Sequence, residues 1–271
     1  MLSQKLNNYS SNPILIAAAK RAAEKRFELE RQDPVLMAER AGIVPDPWQA
    51  DVLRSKARQL ILLCSRQAGK STVSSVLALH AALYTAGALV LLVSPSLRQS
   101  QELFRKIKDL LNAVRSTLPQ LTEESNLRLE FSNGSRIVAL PGKEATIRGF
   151  SGVTLLIEDE ASRVPDELYQ AIRPMLAVSG GRIVLLSTPF GKRGHFYQEW
   201  AEGGDDWHRV KITAEQCPRI STEWLERERH MIGDWWYSQE HLCEFVETED
   251  SVFSYEDIHR AISPDVQPLF D

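Results

Sequence analysis

Three cysteines in 271 residues, at positions 64, 217 and 243, are too few and too far apart for a disulfide framework. None forms a C-x-x-C pair, which fits a reducing compartment. Histidine is also sparse: six are scattered along the chain, and His241-x-Cys243, the nearest approach to a metal pair, lacks further ligands. There is no basic excess. Lysine and arginine number 32 against 36 acidic residues, for a net charge of −4, so any nucleic-acid surface must be local. No apolar run approaches the roughly 20 residues of a membrane helix, and no signal peptide opens the chain. A cytoplasmic location is expected. Repeats and low-complexity tracts are missing too. An apolar content of 43% with 25% charge suits one large α/β domain or two small ones.

What is present centres on Leu60-Ile61-Leu62-Leu63-Cys64-Ser65-Arg66-Gln67-Ala68-Gly69-Lys70-Ser71-Thr72. The aliphatic run reads as a buried strand, and an Ala- and Leu-rich helix follows from about Thr72 to Ala86. A strand turning through a tight loop into a helix aims backbone N–H groups and the positive helix end at one point, which suits a phosphate chain. Nucleotide binding is therefore expected from Ser65, Arg66, Gln67, Ala68, Gly69, Lys70, Ser71 and Thr72. Lys70 reaches the β- and γ-phosphates of ATP in this reading, and the Ser71 hydroxyl ligates Mg²⁺. The stretch departs from G-x-x-x-x-G-K-[ST], because Cys64 occupies the first glycine position.

Around this loop the chain divides into an N-terminal helical segment (1–45), a core (46–212) and a C-terminal helical segment (213–271). Asn12-Pro13 opens a surface helix running to Gln32, and a shorter helix spans Pro34 to Ala41. Asp46 caps a helix beginning at Pro47, which carries Gln49; the glutamine amide matches the N6/N7 edge of adenine. Ala88–Val93 is a second buried strand, followed by a polar helix from Leu97 to Arg115. Leu127–Phe131 and Arg136–Leu140 alternate polar and apolar about Asn133-Gly134, a hairpin signal. Arg128, Arg136, Lys143 and Arg148 make this region locally basic.

Val153–Ile157, a third buried strand, runs into Glu158-Asp159-Glu160. Acidic residues at the carboxyl end of a parallel strand lie where open α/β sheets bind ligands. Asp159 is expected to hold Mg²⁺ through water, and Glu160 to polarise a water for attack on the γ-phosphate. Three consecutive carboxylates need a compensating cation, which Lys70 and Mg²⁺ supply. A helix from Ala161 to Tyr169 should follow. Arg182–Leu186 is a fourth strand, ending in Ser187-Thr188-Pro189, whose hydroxyls suit the γ-phosphate or attacking water. Four strands alternating with helices make a doubly wound, mostly parallel sheet. Beyond it come a last strand at Trp207–Ile212, helices at Thr222–Ile232 and Trp235–Glu244, and a short helix capped by Ser254.

Trp48-Gln49, Ser65-Arg66-Gln67-Ala68-Gly69-Lys70-Ser71, Ile157-Glu158-Asp159-Glu160 and Ser187-Thr188-Pro189 together resemble the ATPase half of viral large terminases, the motors that pump DNA into procapsids. Gln239 to Phe245 and Ser251-Val252-Phe253 resemble the family's closing segment. The resemblance implies an α/β, RecA-like additional-strand (ASCE) P-loop core flanked by a small helical subdomain. It implies double-stranded DNA as substrate, a homo-oligomeric ring, commonly pentameric, on the portal protein, and a small terminase subunit as partner. The setting is the portal vertex of a procapsid in the host cytoplasm, with no membrane. Ser187 and Thr188 match the coupling motif. Arg66 would touch the γ-phosphate in cis, and Arg148 matches an arginine that acts on the neighbour's ATP. The nuclease domain usual in the family finds no aspartate cluster after Glu244, so DNA cleavage is not expected of this chain. A superfamily-2 helicase-like translocase, suggested by Asp159-Glu160-Ala161-Ser162, and a nucleotide-gated binding module are the alternatives.

Overall fold

The computed structural model describes residues 13–114, 119–141 and 149–247. Its framework is one eight-stranded sheet in the order β3-β4-β5-β2-β6-β7-β1-β8. The strands are β1 (Gln59–Cys64), β2 (Leu89–Ser94), β3 (Leu121–Glu124), β4 (Arg128–Phe131), β5 (Arg136–Pro141), β6 (Leu155–Asp159), β7 (Arg182–Ser187) and β8 (Trp207–Ile212). From β5 to β8 all pairings are parallel; β3-β4 and β4-β5 are antiparallel. Strands β1 and β2 are aliphatic almost throughout because helices cover both faces of the parallel region.

Among the described residues, eight α-helices carry the chain between strands: α1 (Pro13–Gln32), α2 (Pro34–Arg40), α3 (Pro47–Arg54), α4 (Lys70–Tyr84), α5 (Leu97–Val114), α6 (Asp166–Ile172), α7 (Gly194–Ala201) and α8 (Thr222–Glu240). The strand pleat sends alternate side chains to two cores. Leu60, Leu62, Val90, Leu92, Ile157 and Leu186 face α4 and α5 on one side. Ile61, Leu63, Leu91, Leu156 and Leu185 face Leu168, Ile172 and Phe196 of α6 and α7 on the other. Helix α4 is buried nearly all round, since α2, α3, α5 and the sheet all pack on it. Helix α5 buries Leu103, Phe104, Ile107, Leu110, Leu111 and Val114 as one stripe and turns its charges outward.

The connections leaving the adjacent strands β1 and β7 diverge. From β1 the chain crosses by α4 towards β2; from β7 it crosses by α7 on the opposite face to β8. A crevice opens at the carboxyl ends of such a pair. No helix among the described residues is long and apolar enough to cross a membrane.

The structure departs from the sequence reading in three places. β3, short and largely exposed, is an extra strand paired to β4. α7 follows Gly191-Lys192-Arg193, a polar loop that hid it. The helix expected over Ala161–Tyr169 splits, because Pro165 cannot continue it: a 3₁₀ turn spans Ala161–Arg163 and α6 starts at Asp166. The two C-terminal helices are there as expected: α8 is two helical runs that meet at Gly233, whose φ of 78° and ψ of 161° are not helical. The Ser251–Phe253 match and the helix capped by Ser254 lie outside the described residues, as does Lys143.

Gly181, at the entrance to β7, sits where a Cβ would come 2.1 Å from the Val153 carbonyl and 2.9 Å from Leu176. Gly181→Ala must push backbone apart and is expected to lower Tm by roughly 3–10 °C in a thermal melt.

Candidate active site

Between β1 and α4 the chain turns through Ser65-Arg66-Gln67-Ala68-Gly69. Gln67 and Gly69 both take left-handed conformations, at φ 60° and 95°. Glycine is required at 69 for a second reason: a Cβ there would lie 2.5 Å from the Gln49 Nε2. Lys70 is the first residue of α4 and is 7% exposed. Its Nζ donates to the Ser65 carbonyl at 3.1 Å and lies 4.0 Å from Glu160 Oε1. Loop and acidic strand tip thus converge across a cleft of about 580 Å³, lined by Gln67, Gly69, Lys70, Ser71, Thr72 and Glu160 among others.

The pleat of β6 separates the first two of the three consecutive acids. Asp159 shares the α4 side of the sheet with Ile157, while Glu158 turns to the α6–α7 side. There Glu158 is fully buried and meets His195 Nε2 at 2.9 Å; His195 Nδ1 meets Asp166 at 2.9 Å. Burial pushes the Glu158 carboxyl up, and His195 opposes it. Burial also disfavours the His195 imidazolium, but its two carboxylates outweigh that and raise its pKa. Asp159 is buried, and its Oδ1 has no hydrogen-bond partner. Burial first, then the charge of Glu160, pushes it up to about 7, against the pull of Lys70. A buried carboxylate oxygen without a partner, beneath a cleft that Ser71 lines, fits a hard divalent cation such as Mg²⁺.

β7 lies between β6 and β1, so Ser187 and Thr188 sit between the two convergent groups. Both are buried, and Thr188 lines the cleft. Sequence reasoning missed the residue that joins them to the acidic tip. The Ser162 hydroxyl lies 2.7 Å from Ser187 Oγ and donates to the Thr188 carbonyl at 2.8 Å, and the Ser162 N–H donates to Ser187 Oγ at 3.2 Å. Its only sequence signal was its place in Asp159-Glu160-Ala161-Ser162. Glu160 itself takes φ 53°, a left-handed bend at which β6 gives way to the 3₁₀ turn.

Two of the expected nucleotide contacts also have protein partners that the sequence did not announce. Gln49 Oε1 accepts the Asp46 N–H at 2.9 Å, and its Nε2 approaches the Ala68 and Gly69 carbonyls at 3.4 and 3.5 Å. The buried amide props the loop from beneath, and bidentate contact with adenine would have to displace these bonds. Arg66 pairs with Glu240 at the end of α8 instead of pointing alone into the cleft, and its N–H donates to the Glu240 carbonyl at 3.3 Å. Arg148 lies outside the described residues. Other cleft-lining cations had no sequence signal. Arg219 binds Asp46 at 2.7 Å and the Ala68 carbonyl at 3.2 Å. Arg163 lies on the Phe190 ring, 4.1 Å from its centre, and Lys106 reaches in from α5.

Residues 61–260 match the family model for the terminase large subunit, T4likevirus-type, N-terminal. The large terminase subunit of Thermus phage G20c is 26% identical over 268 residues, an alignment taking in 86% of this chain and 53% of that protein. A probable large terminase subunit of Enterobacteria phage P7 is 28% identical over 180 residues, taking in 61% of this chain and 35% of that protein. The chain spans about half the length of the curated relatives that it matches over most of its own length. Among solved structures, the ATPase domain of the Thermus phage P74-26 large terminase superposes with a TM-score of 0.66 at 23% identity, covering 77% of this chain and 97% of that one. The large terminase of bacteriophage HK97 gives a TM-score of 0.55 at 19% identity, over 80% of this chain and 46% of that one. The fold is accordingly the RecA-like, additional-strand α/β fold of those structures.

The raised pKa of Asp159 sets the sign of a stability test. Unfolded, the group ionises near the ordinary carboxylate value; folded, it holds its proton to about 7. The nucleotide-free protein therefore loses stability as pH rises from about 4 to 7, and the full cost of ionisation is present above 7. Asp159→Asn is expected to raise stability by at least about 1 kcal/mol at pH 8, with the gain vanishing towards pH 4 in denaturant melts.

Proposed function

Because the chain belongs to the family of T4-like terminase large-subunit N-terminal domains, we propose that it is the ATP-hydrolysing part of a viral DNA-packaging motor. The observation that carries this reading is the 4.0 Å approach of Lys70 to Glu160, with buried Asp159 at the same strand tip. The loop N–H groups and Lys70 hold the β- and γ-phosphates of ATP. Ser71 and Asp159 are the residues that would hold Mg²⁺, which when bound offsets charge on the phosphate oxygens. Glu160 takes the proton of a water whose oxygen attacks the γ-phosphorus. The bond from that phosphorus to the β,γ-bridging oxygen breaks, and ADP and phosphate leave. An ionisable carboxylate at this point favours turnover over a purely nucleotide-gated module.

Ser187 and Thr188 form the coupling motif. Their hydrogen bonds through Ser162 tie the glutamate's turn to the end of β7, so loss of the γ-phosphate reaches both together. Arg66 acts on the γ-phosphate in cis after exchanging Glu240 for phosphate oxygens. Its side chain is 62% exposed, and such pairs are held weakly. Arg148 serves the ATP of a neighbouring copy. The working assembly is a homo-oligomeric ring, commonly pentameric in the family, on the portal protein of a procapsid in the host cytoplasm. It moves double-stranded DNA, with a small terminase subunit as partner.

Glu160→Gln keeps the shape of the side chain and removes its basicity. It should retain ATP binding while steady-state turnover falls about 10²- to 10⁴-fold; undiminished turnover sinks the base assignment. Action in trans is tested by mixing. Arg148→Ala and Glu160→Gln subunits, each inactive alone, should recover part of the wild-type rate when combined. A mixture no faster than its components places the arginine's effect within its own subunit.

A further inference from the structure

Three arginines line the phosphate cleft, Arg66, Arg163 and Arg219, and they differ in what holds them. Arg66 is paired with Glu240, and Arg219 with Asp46. Arg163 has no carboxylate partner among the described residues; its guanidinium lies instead on the Phe190 ring, 4.1 Å from the centre. Arg193 lies on the same ring at 4.7 Å. Phe190 is half-buried, whereas both arginines are exposed. Two like charges on one ring repel each other, and a cation–π contact open to water is a weak hold on either.

Both ends of the Arg163–Phe190 contact belong to elements that the reaction uses. Arg163 closes the 3₁₀ turn that follows Glu160, and its N–H donates to the Glu160 carbonyl at 2.9 Å. Phe190 stands two residues beyond Thr188, in the loop that leads from β7 to α7. That loop turns through Gly191 at φ 71° and Gly194 at φ 75°, and Arg193 is the cap residue of α7. A guanidinium that touches a ring and lines a triphosphate cleft has two alternative partners. Charge-assisted hydrogen bonds to phosphate oxygens are stronger than an exposed cation–π contact, so the phosphate wins when it is present.

We propose that Arg163 reports the γ-phosphate to the β7–α7 loop. With ATP bound, its guanidinium leaves Phe190 and donates to γ-phosphate oxygens; with ADP it returns to the ring. The proposal rests on the reading that this cleft holds the triphosphate. Departure of Arg163 removes one of the two contacts on the ring, and the loop with Arg193 at the start of α7 is the part that responds. The coupling is reciprocal, because a contact that ATP must break weakens ATP binding. Phe190 therefore opposes the triphosphate and leaves the diphosphate untouched. This route runs beside the Ser162 bonds to Ser187 and Thr188, and it ends at the surface, where Arg193 is exposed.

The test measures dissociation constants of the full chain, with Mg²⁺, for ADP and for a non-hydrolysable β,γ-imido analogue of ATP. Arg163→Ala should weaken the analogue about tenfold and change ADP less than about twofold. Arg163→Lys, which keeps the charge but loses the planar fork, should fall between. Phe190→Leu keeps an apolar side chain and removes the ring face; it should tighten the analogue about two- to fourfold without changing ADP. Side chains that merely supported the fold would not move the two nucleotides apart in this way. Hydrogen exchange of wild-type amides at 190–194 should be faster with the analogue than with ADP, a readout that needs no variant. Equal effects of Arg163→Ala on both ligands, a Phe190→Leu protein that binds the analogue no more tightly than wild type, or identical exchange at 190–194 with both ligands overturns the proposal. Wild-type protein that binds neither nucleotide, or Lys70→Ala that binds both as well as wild type does, overturns the reading of the cleft instead.

Discussion

The Lys70 ammonium is the charge about which the rest of this site is arranged. It is buried, held by the Ser65 carbonyl, and faces Glu160 with Asp159 close by. A buried cation is tolerable only with acceptors and opposite charge around it, and buried carboxylates need the same in reverse. Parallel strands satisfy both demands cheaply, because their carboxyl ends share one edge. Ends separated by a single strand, as β1 and β6 are by β7, bring groups from distant parts of the sequence into ion-pair range.

That intervening strand explains why hydrolysis and its transmission are neighbours here. Ser187 and Thr188 end β7 between the lysine and the glutamate, and Ser162 returns from the acidic tip to bond both. On the other face of the sheet, Glu158 is joined to His195 and Asp166, so the same short strand anchors α6 and α7 while presenting Asp159 and Glu160 to the cleft. Two arginine contacts fasten the C-terminal segment to the phosphate loop, Arg66 with Glu240 and Arg219 with the Ala68 carbonyl, and Arg219 also pairs with Asp46 before α3. Both guanidinium groups are half or more exposed, and exposed pairs contribute little to stability. They hold the C-terminal segment against the loop without locking it there.

Much of this was legible in the residues themselves. Leu60–Cys64, Leu89–Val93 and Arg182–Leu186 are aliphatic runs of strand length, and burial on both faces is what such runs mean. Gly69-Lys70-Ser71 after the first run, and Asp159-Glu160 after a later one, named the reacting ends of two strands. Local grammar also gave the Asn133-Gly134 hairpin and the Asp46-Pro47 helix start. It did not give α7, whose first turn follows a polar loop, or the break at Pro165, where a run of good helix formers surrounds one residue that cannot join them.

Which strands lie side by side, and what the polar side chains touch, came only from the assembled chain. Gln49 offers the same amide to an adenine edge or to a loop carbonyl, and the folded chain sets it under Gly69, within reach of the loop carbonyls. Arg66 meets Glu240 across 174 residues, and Arg219 meets Asp46 across 173, distances over which sequence carries no pairing signal. Periodicity and turn chemistry are short-range properties, written within a dozen residues, and they determined the elements and the reacting groups at their ends. Partner choice among polar groups is a long-range property of packing, and only the folded sheet decides it.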